Sequence, residues 1–228
     1  MIHFMGTSYA AKTLKEAARR RGVKLTENIE EAELILVAED TPTDQFGNRN
    51  TALIRKLIDS CPYGVPIVVT SQVEPGFMRA NPRALYHQAE TLRIEDGIQR
   101  AMYPEMFIVG GPNKDFTILH EYREYLDAFD CPIIKMSYED AEFCKIAINA
   151  MLISQIETTN MLSDLASKAG ADWGKVSQAL RHDSRIGKYA YLTPGRWQNS
   201  LHLLRDYVTL DRLAESESKS ETLLDAWA

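Results

Sequence analysis

A chain of 228 residues with 45% hydrophobic side chains can form one large domain or two small ones and holds ample material for a core. Its formal net charge of −6 and the lack of a dense basic patch argue against nucleic acid as a partner; Arg19-Arg20-Arg21 sits where it would solvate a helix C-terminus. No apolar run is long enough for a membrane span and no signal-peptide pattern opens the chain, while three cysteines (Cys61, Cys131, Cys144) without metal-ligand spacing fit a reducing compartment, so a cytoplasmic protein with no metal site is expected.

Residues 2–5 predict a short buried strand, Gly6 a turn, and 9–21 an amphipathic helix closed by Gly22. Dinucleotide-binding folds open in this way, but where Gly-x-Gly-x-x-Gly is expected the chain reads Gly6-Thr7-Ser8-Tyr9-Ala10-Ala11. The second glycine, which lets backbone approach a pyrophosphate, is Ser8, and the third is Ala11. An acidic helical turn at 28–32 leads into a strand at 33–37, leaving no room before it for another complete strand and helix. No strand ending in an acid is therefore expected about 20 residues past the glycine turn, where such folds grip an adenosine ribose; Asp40 reads as a turn residue.

Next come a helix at 51–60 and a β-branched strand at 66–70, followed by Ser71-Gln72-Val73-Glu74-Pro75-Gly76 at the sheet edge where open α/β folds bind ligands. Residues 86–101 read as polar and partly helical, 106–109 as a strand, 116–129 as a helix and 132–136 as the last strand. The alternation predicts a parallel sheet with helices on both faces.

Beyond 136 the strand signals cease. Cys144, Ile148, Met151, Leu152, Ile156, Leu162 and Leu165 recur at three- and four-residue steps, which predicts a long helix over 137–170 with that stripe buried and Gly170 as its stop. Lys145 and Asn149 stack on one side of it, and Glu142 stands three before Lys145, placed to hold its ammonium. Two readings stay open: polar groups at the rim of a core helix, or an ammonium and an amide offered together to a ligand. A helix at 173–181 capped by Asp172, an aromatic loop to Trp197 and a helix at 198–213 complete the pattern. The expected organisation is a truncated Rossmann-like domain at 1–136, a helical domain at 137–214 and a flexible tail at 215–228.

In order, these pieces resemble the UDP-glucose/GDP-mannose dehydrogenase family. Asn28 to Val37 is similar to the approach to that family's fourth strand, Ser71 to Gly76 to its Ser-Thr-Val-x-Pro-Gly turn, and Glu90-Thr-Leu-Arg93 to its Pro-Glu-x-Leu-Arg segment. Ala141-Glu142-x-x-Lys145-x-x-x-Asn149-Ala150 resembles the start of its central helix, and Gly170 to Val176 and Asp183 to Gly187 continue in register. The resemblance implies a helical dimerisation domain like those of 6-phosphogluconate dehydrogenases, with a homodimer built on the long helix. It also implies NAD as cofactor, held around Gly6, Tyr9, Thr41, Pro42, Ser71 and Gln72. A nucleotide-sugar-like small molecule would be the ligand, oxidised at its C6 alcohol through a cysteine thioester. Catalytic roles carry over to Lys145, Asn149 and Glu90, and a substrate contact to Arg185.

The departures bear on chemistry. The family's Gly-Gly-x-Cys-x-x-Lys-Asp loop aligns with Asn199 to Asp206, so its cysteine falls on His202, its lysine on Arg205, and Asp206 alone persists. The second glutamate of the Pro-Glu-x-Leu-Arg segment falls on Ile94, and the second strand and the C-terminal nucleotide-binding domain have no counterpart. An imidazole cannot form the thioester that divides the oxidation into two steps, and Cys144 on the long helix is expected to be inert. The leading expectation is a dimeric pseudoenzyme unable to carry out the four-electron oxidation. The alternative is an NAD(P)-dependent oxidoreductase of a CH–OH group that uses Lys145, Asn149, His202 and Asp206 as an acid–base cluster. A plain fold remnant is the third.

Overall fold

The computed structural model describes residues 1–90, 92 and 96–215, so the expected tail beyond 215, and Arg93 and Ile94, lie outside the described residues. The chain divides into two compact units: Met1–Pro42 with Arg49–Lys145, and Thr43–Asn48 with Ile146–Ala228.

The first unit is a six-stranded sheet in chain order: β1 (Ile2–Met5), β2 (Leu34–Val37), β3 (Ile67–Val69), β4 (Tyr86–Gln88), β5 (Phe107–Gly111) and β6 (Ile133–Ser137). Neighbours pair parallel except β4 and β5, which run antiparallel, so the all-parallel expectation fails at one joint. β2 is buried at every residue because helices cover both faces. Its Leu34 and Leu36 pack with α1 (Tyr9–Arg20), α4 (His120–Asp127) and an aromatic group that includes Phe4, Tyr86, Phe107 and Tyr125, while Ile35 and Val37 pack with α2 (Ala52–Ser60) and Tyr138. A further helix, α3 (Gly97–Met102), lies against α1.

Two short strands escape the periodicity. β4 lies within a stretch read as polar and partly helical; its Tyr86, His87 and Gln88 are all buried, and each finds a polar partner. Lys24–Thr26 run beside the outer edge of β1, with Ile2 donating to Lys24 O and accepting from Thr26 N–H, both near 3.0 Å. A rudiment of the second strand is therefore present, although the helix that would follow it is not, because Asn28 already caps the turn before β2. The helix expected from 116 starts only at His120, since Phe116 stacks on Tyr86 and the Tyr86 hydroxyl ties down both Thr117 O and Leu119 N–H.

α5 (Tyr138–Lys168) starts in the first unit and continues into the second, joined there by α6 (Trp173–His182) and α7 (Leu201–Glu215). Asp172 caps α6 as expected, accepting from Gly174 N–H at 2.8 Å. The buried face of α5 agrees only in part with the predicted one: of the predicted stripe Ile156 is buried and Cys144, Ile148 and Leu152 are half-buried. Ile146, Asn149, Ile153, Ile156 and Thr159 are enclosed, whereas Met151, Leu162 and Leu165 of the predicted stripe are exposed. Ile153 and Ile156 pack on Trp197, with Leu203, Leu204 and Tyr207 of α7 around them. The short loop 43–48 docks on α7 through Gly47, at φ +80°, where a Cβ would stand 2.7 Å from Val208. Among the described residues no helix is long and apolar enough to cross a membrane.

Candidate functional site

In the first unit, the C-terminal ends of β1 to β4 gather most of the residues expected to hold a cofactor. Gly6 turns at φ +134°, a conformation and a space that only glycine fits, because a Cβ would meet Ala38 O at 2.7 Å. Thr41, which is buried, donates its hydroxyl to Gln72 O at 3.0 Å, and Gln72 reaches Glu90 at 3.4 Å. Glu90 also accepts from Leu92 N–H. Ser71 Oγ accepts the Glu39 N–H at 3.0 Å, and Pro42 O accepts from Asn50 at 2.8 Å. Tyr9 lies apart from this chain of bonds, half exposed at the head of α1 with its hydroxyl over Gly97.

Sequence reasoning missed two carboxylates here. Glu27 directly follows the rudimentary strand, about 20 residues past Gly6, the place of a ribose-binding acid. It is exposed and paired with Lys15 at 2.7 Å, which lowers its pKa. The alternation in Val23-Lys24-Leu25-Thr26 was the available signal. Glu39 is buried, and its Oε2 accepts the Thr7 N–H at 2.7 Å.

Glu142 has another task than the one expected of it. Fully enclosed, it accepts Gly76 N–H and Met78 N–H at 2.7 Å each, fastening the head of α5 to the turn after β3. Burial raises its pKa against the pull of those two donors. Lys145, partly exposed, closes the first unit.

In the second unit the Asn149 amide donates to the Asp206 carboxylate, and both are buried. Arg205 is enclosed beside them, its carbonyl accepting from the Thr209 hydroxyl at 2.9 Å. His202 is exposed on the first turn of α7. Arg185 folds back on its own chain in a bidentate pair with Asp183, at 2.7 and 3.0 Å, with its side chain largely in solvent. None of the three cysteines forms a disulfide. Burial pushes the Cys61 thiol up to about 11 and raises those of Cys131 and Cys144, so none offers a thiolate at neutral pH. Among the described residues no three His, Cys, Asp or Glu side chains converge as a metal site.

Residues 139–228 match the model of the UDP-glucose/GDP-mannose dehydrogenase family, central domain. UDP-glucose 6-dehydrogenase TuaD of Bacillus subtilis is 25% identical over 215 residues, 87% of this chain and 46% of that protein. Protein MJ1054 of Methanocaldococcus jannaschii is 30% identical over 177 residues, 70% of this chain and 20% of that protein. This chain thus spans about half or less of the curated relatives it matches. A UDP-glucose dehydrogenase from Pyrobaculum islandicum shares the fold, with a TM-score of 0.75 at 19% identity over 99% of this chain and 66% of that one. The central-domain match and the similarity along most of the chain, with a fold shared, support membership of the UDP-glucose/GDP-mannose dehydrogenase family.

Proposed function

We propose that this chain is a nucleotide-sugar dehydrogenase-like protein that does not carry an alcohol through to a carboxylate. The observation that supports the reading is the state of its thiols. Taking an aldehyde to an acid in this family's manner needs a thiolate that adds to the aldehyde carbon; the thiohemiacetal so formed loses a hydride from that carbon to the oxidant and becomes a thioester, and water then cleaves the carbon–sulfur bond to release the acid and return the thiol. On the resemblance the nucleophile's position falls on His202, which lies on an exposed helix turn, and burial raises the pKa of all three cysteine thiols. What persists is the buried Asn149–Asp206 pair, with the enclosed Arg205 standing where the resemblance puts a lysine. The reading includes a small nucleotide-sugar-like ligand and a homodimer built on α5.

The test is incubation with UDP-glucose and NAD, with products read by mass spectrometry. No UDP-glucuronate is expected; its appearance in amounts that depend on the protein overturns the reading. One observation favours a second reading, a single two-electron oxidation of a CH–OH group. His202 stands one helical turn before Asp206, and the Asn149 contact already fixes that carboxylate. The same assay would then yield an aldehyde or ketone and no acid.

A further inference from the structure

NAD is the cofactor the family resemblance implies, and the first turn is where its diphosphate belongs. In open α/β sheets the ligand takes the crevice where strand order reverses, with phosphate on the N–H groups that open the next helix. Here the reversal lies at β1, which has Lys24–Thr26 along one edge and β2 along the other. The crevice is bounded by Gly6-Thr7-Ser8 after β1 and Ala38-Glu39 after β2.

That crevice is already sewn shut. The Ser8 hydroxyl donates to Ala38 O at 2.9 Å, and Ser8 Oγ accepts the Ala11 N–H at 3.2 Å, capping α1. Glu39, a residue 8% exposed, takes the Thr7 N–H at 2.7 Å and the Thr7 hydroxyl at 3.3 Å on Oε2, and the Asp40 N–H at 3.0 Å on Oε1. Gly6, the one glycine kept from the fingerprint, is used up in the close approach to Ala38 O.

We propose that Glu39 is a resident anion in the diphosphate seat and that it keeps dinucleotides out of the first unit. The carboxylate already engages a turn N–H that a phosphate would need, and it places a negative charge, screened only in part, where a doubly charged group would have to come. Burial works to raise the Glu39 pKa, but the Thr7 and Asp40 N–H groups and the Thr7 and Ser8 hydroxyls outweigh it, so the group is charged at neutral pH. The residues present therefore do not fit the implied cofactor. This goes beyond the proposed function, which rests on the thiols and on the second unit.

The test titrates NAD and ADP-ribose against the full chain by calorimetry and by melting temperature. Wild type is compared with Glu39→Gln, which keeps the shape and one acceptor while removing the charge, and with Glu39→Gly, which empties the seat. Wild type is expected to show no saturable binding below about 1 mM, and a folded variant to gain affinity by about tenfold or more. Micromolar NAD binding by wild type overturns the proposal whether or not the variants fold. So do folded variants, melting within a few degrees of wild type, that bind no better than it does. Neither result touches the absence of a carboxylate product, which the mass-spectrometric assay reads separately.

Discussion

His87 is enclosed on β4, where its Nδ1–H donates to Val69 O at 3.0 Å, and burial pushes its pKa down from 6.5 to about 4. The consequence for stability has a definite sign. The unfolded chain takes up a proton on this imidazole as the pH drops below 6.5, and the folded chain does not until about pH 4. The contribution of the neutral ring is therefore complete above 6.5 and is lost as the pH falls toward 4, at about 1.4 kcal/mol per pH unit and about 3 kcal/mol in all. Urea unfolding between pH 7 and 4 should show this loss in wild type and a shallower one in His87→Asn, whose amide can replace the Nδ1 donor. Parallel slopes for the two proteins would refute it.

At the level of elements, the joint between the head of α5 and the turn after β3 depends on Glu142. Replacing it by alanine strands the Gly76 and Met78 N–H groups, and Met78 is itself buried. Loss of about 3 kcal/mol of stability is expected for Glu142→Ala and less for Glu142→Gln, whose single oxygen can still accept one of the two bonds. Equal melting temperatures for wild type and Glu142→Ala would count against this role. Glu142 also marks the limit of what could be read beforehand. Spacing placed it on the helix with Lys145 and Asn149, but its true partners lie 66 and 64 residues away, and no local pattern encodes them. β1, β2 and β3 were legible because burial on one or both faces leaves short, strongly apolar runs. β4 was not, because its buried polar side chains are satisfied by groups from other elements. The rudimentary strand at Lys24–Thr26 had only the four-residue alternation from Val23 to Thr26 to announce it, a weak period beside the neighbouring helix. Asn149 was placed correctly on α5, but its bond to Asp206 brings together residues 57 apart and came only with the fold.

At the scale of the whole molecule, α5 poses the remaining question, since it is apolar on two faces and, among the described residues, only one of them is covered. Ile153 and Ile156 are buried, while Met151 is 63% exposed, Leu165 51% and Leu162 38%, and these three continue the seven-position stripe legible in the sequence. Periodicity read that stripe as the buried face of the helix, and at these three positions it lies exposed, because period alone reports an apolar side and not what covers it. Large apolar side chains on one side of a helix, spread over about four turns, are what the proposed dimer would cover. A second copy is the occupant expected from the same reading, since a two-fold axis brings each stripe against its twin and buries both at once. Sedimentation velocity at micromolar concentration should therefore give a dimer, with a melting temperature that rises with protein concentration. Leu165→Glu and Met151→Glu each place a carboxylate opposite its symmetry mate or against apolar neighbours, and together they should weaken association by about a hundredfold or more while leaving far-ultraviolet circular dichroism unchanged. Leu213→Glu, at a position on α7 that is 41% exposed, serves as the control and should leave the dimer intact. A wild-type monomer at these concentrations, or a dimer indifferent to both α5 substitutions, removes the helix as the contact and leaves its apolar stripe to be covered by something other than a copy of itself.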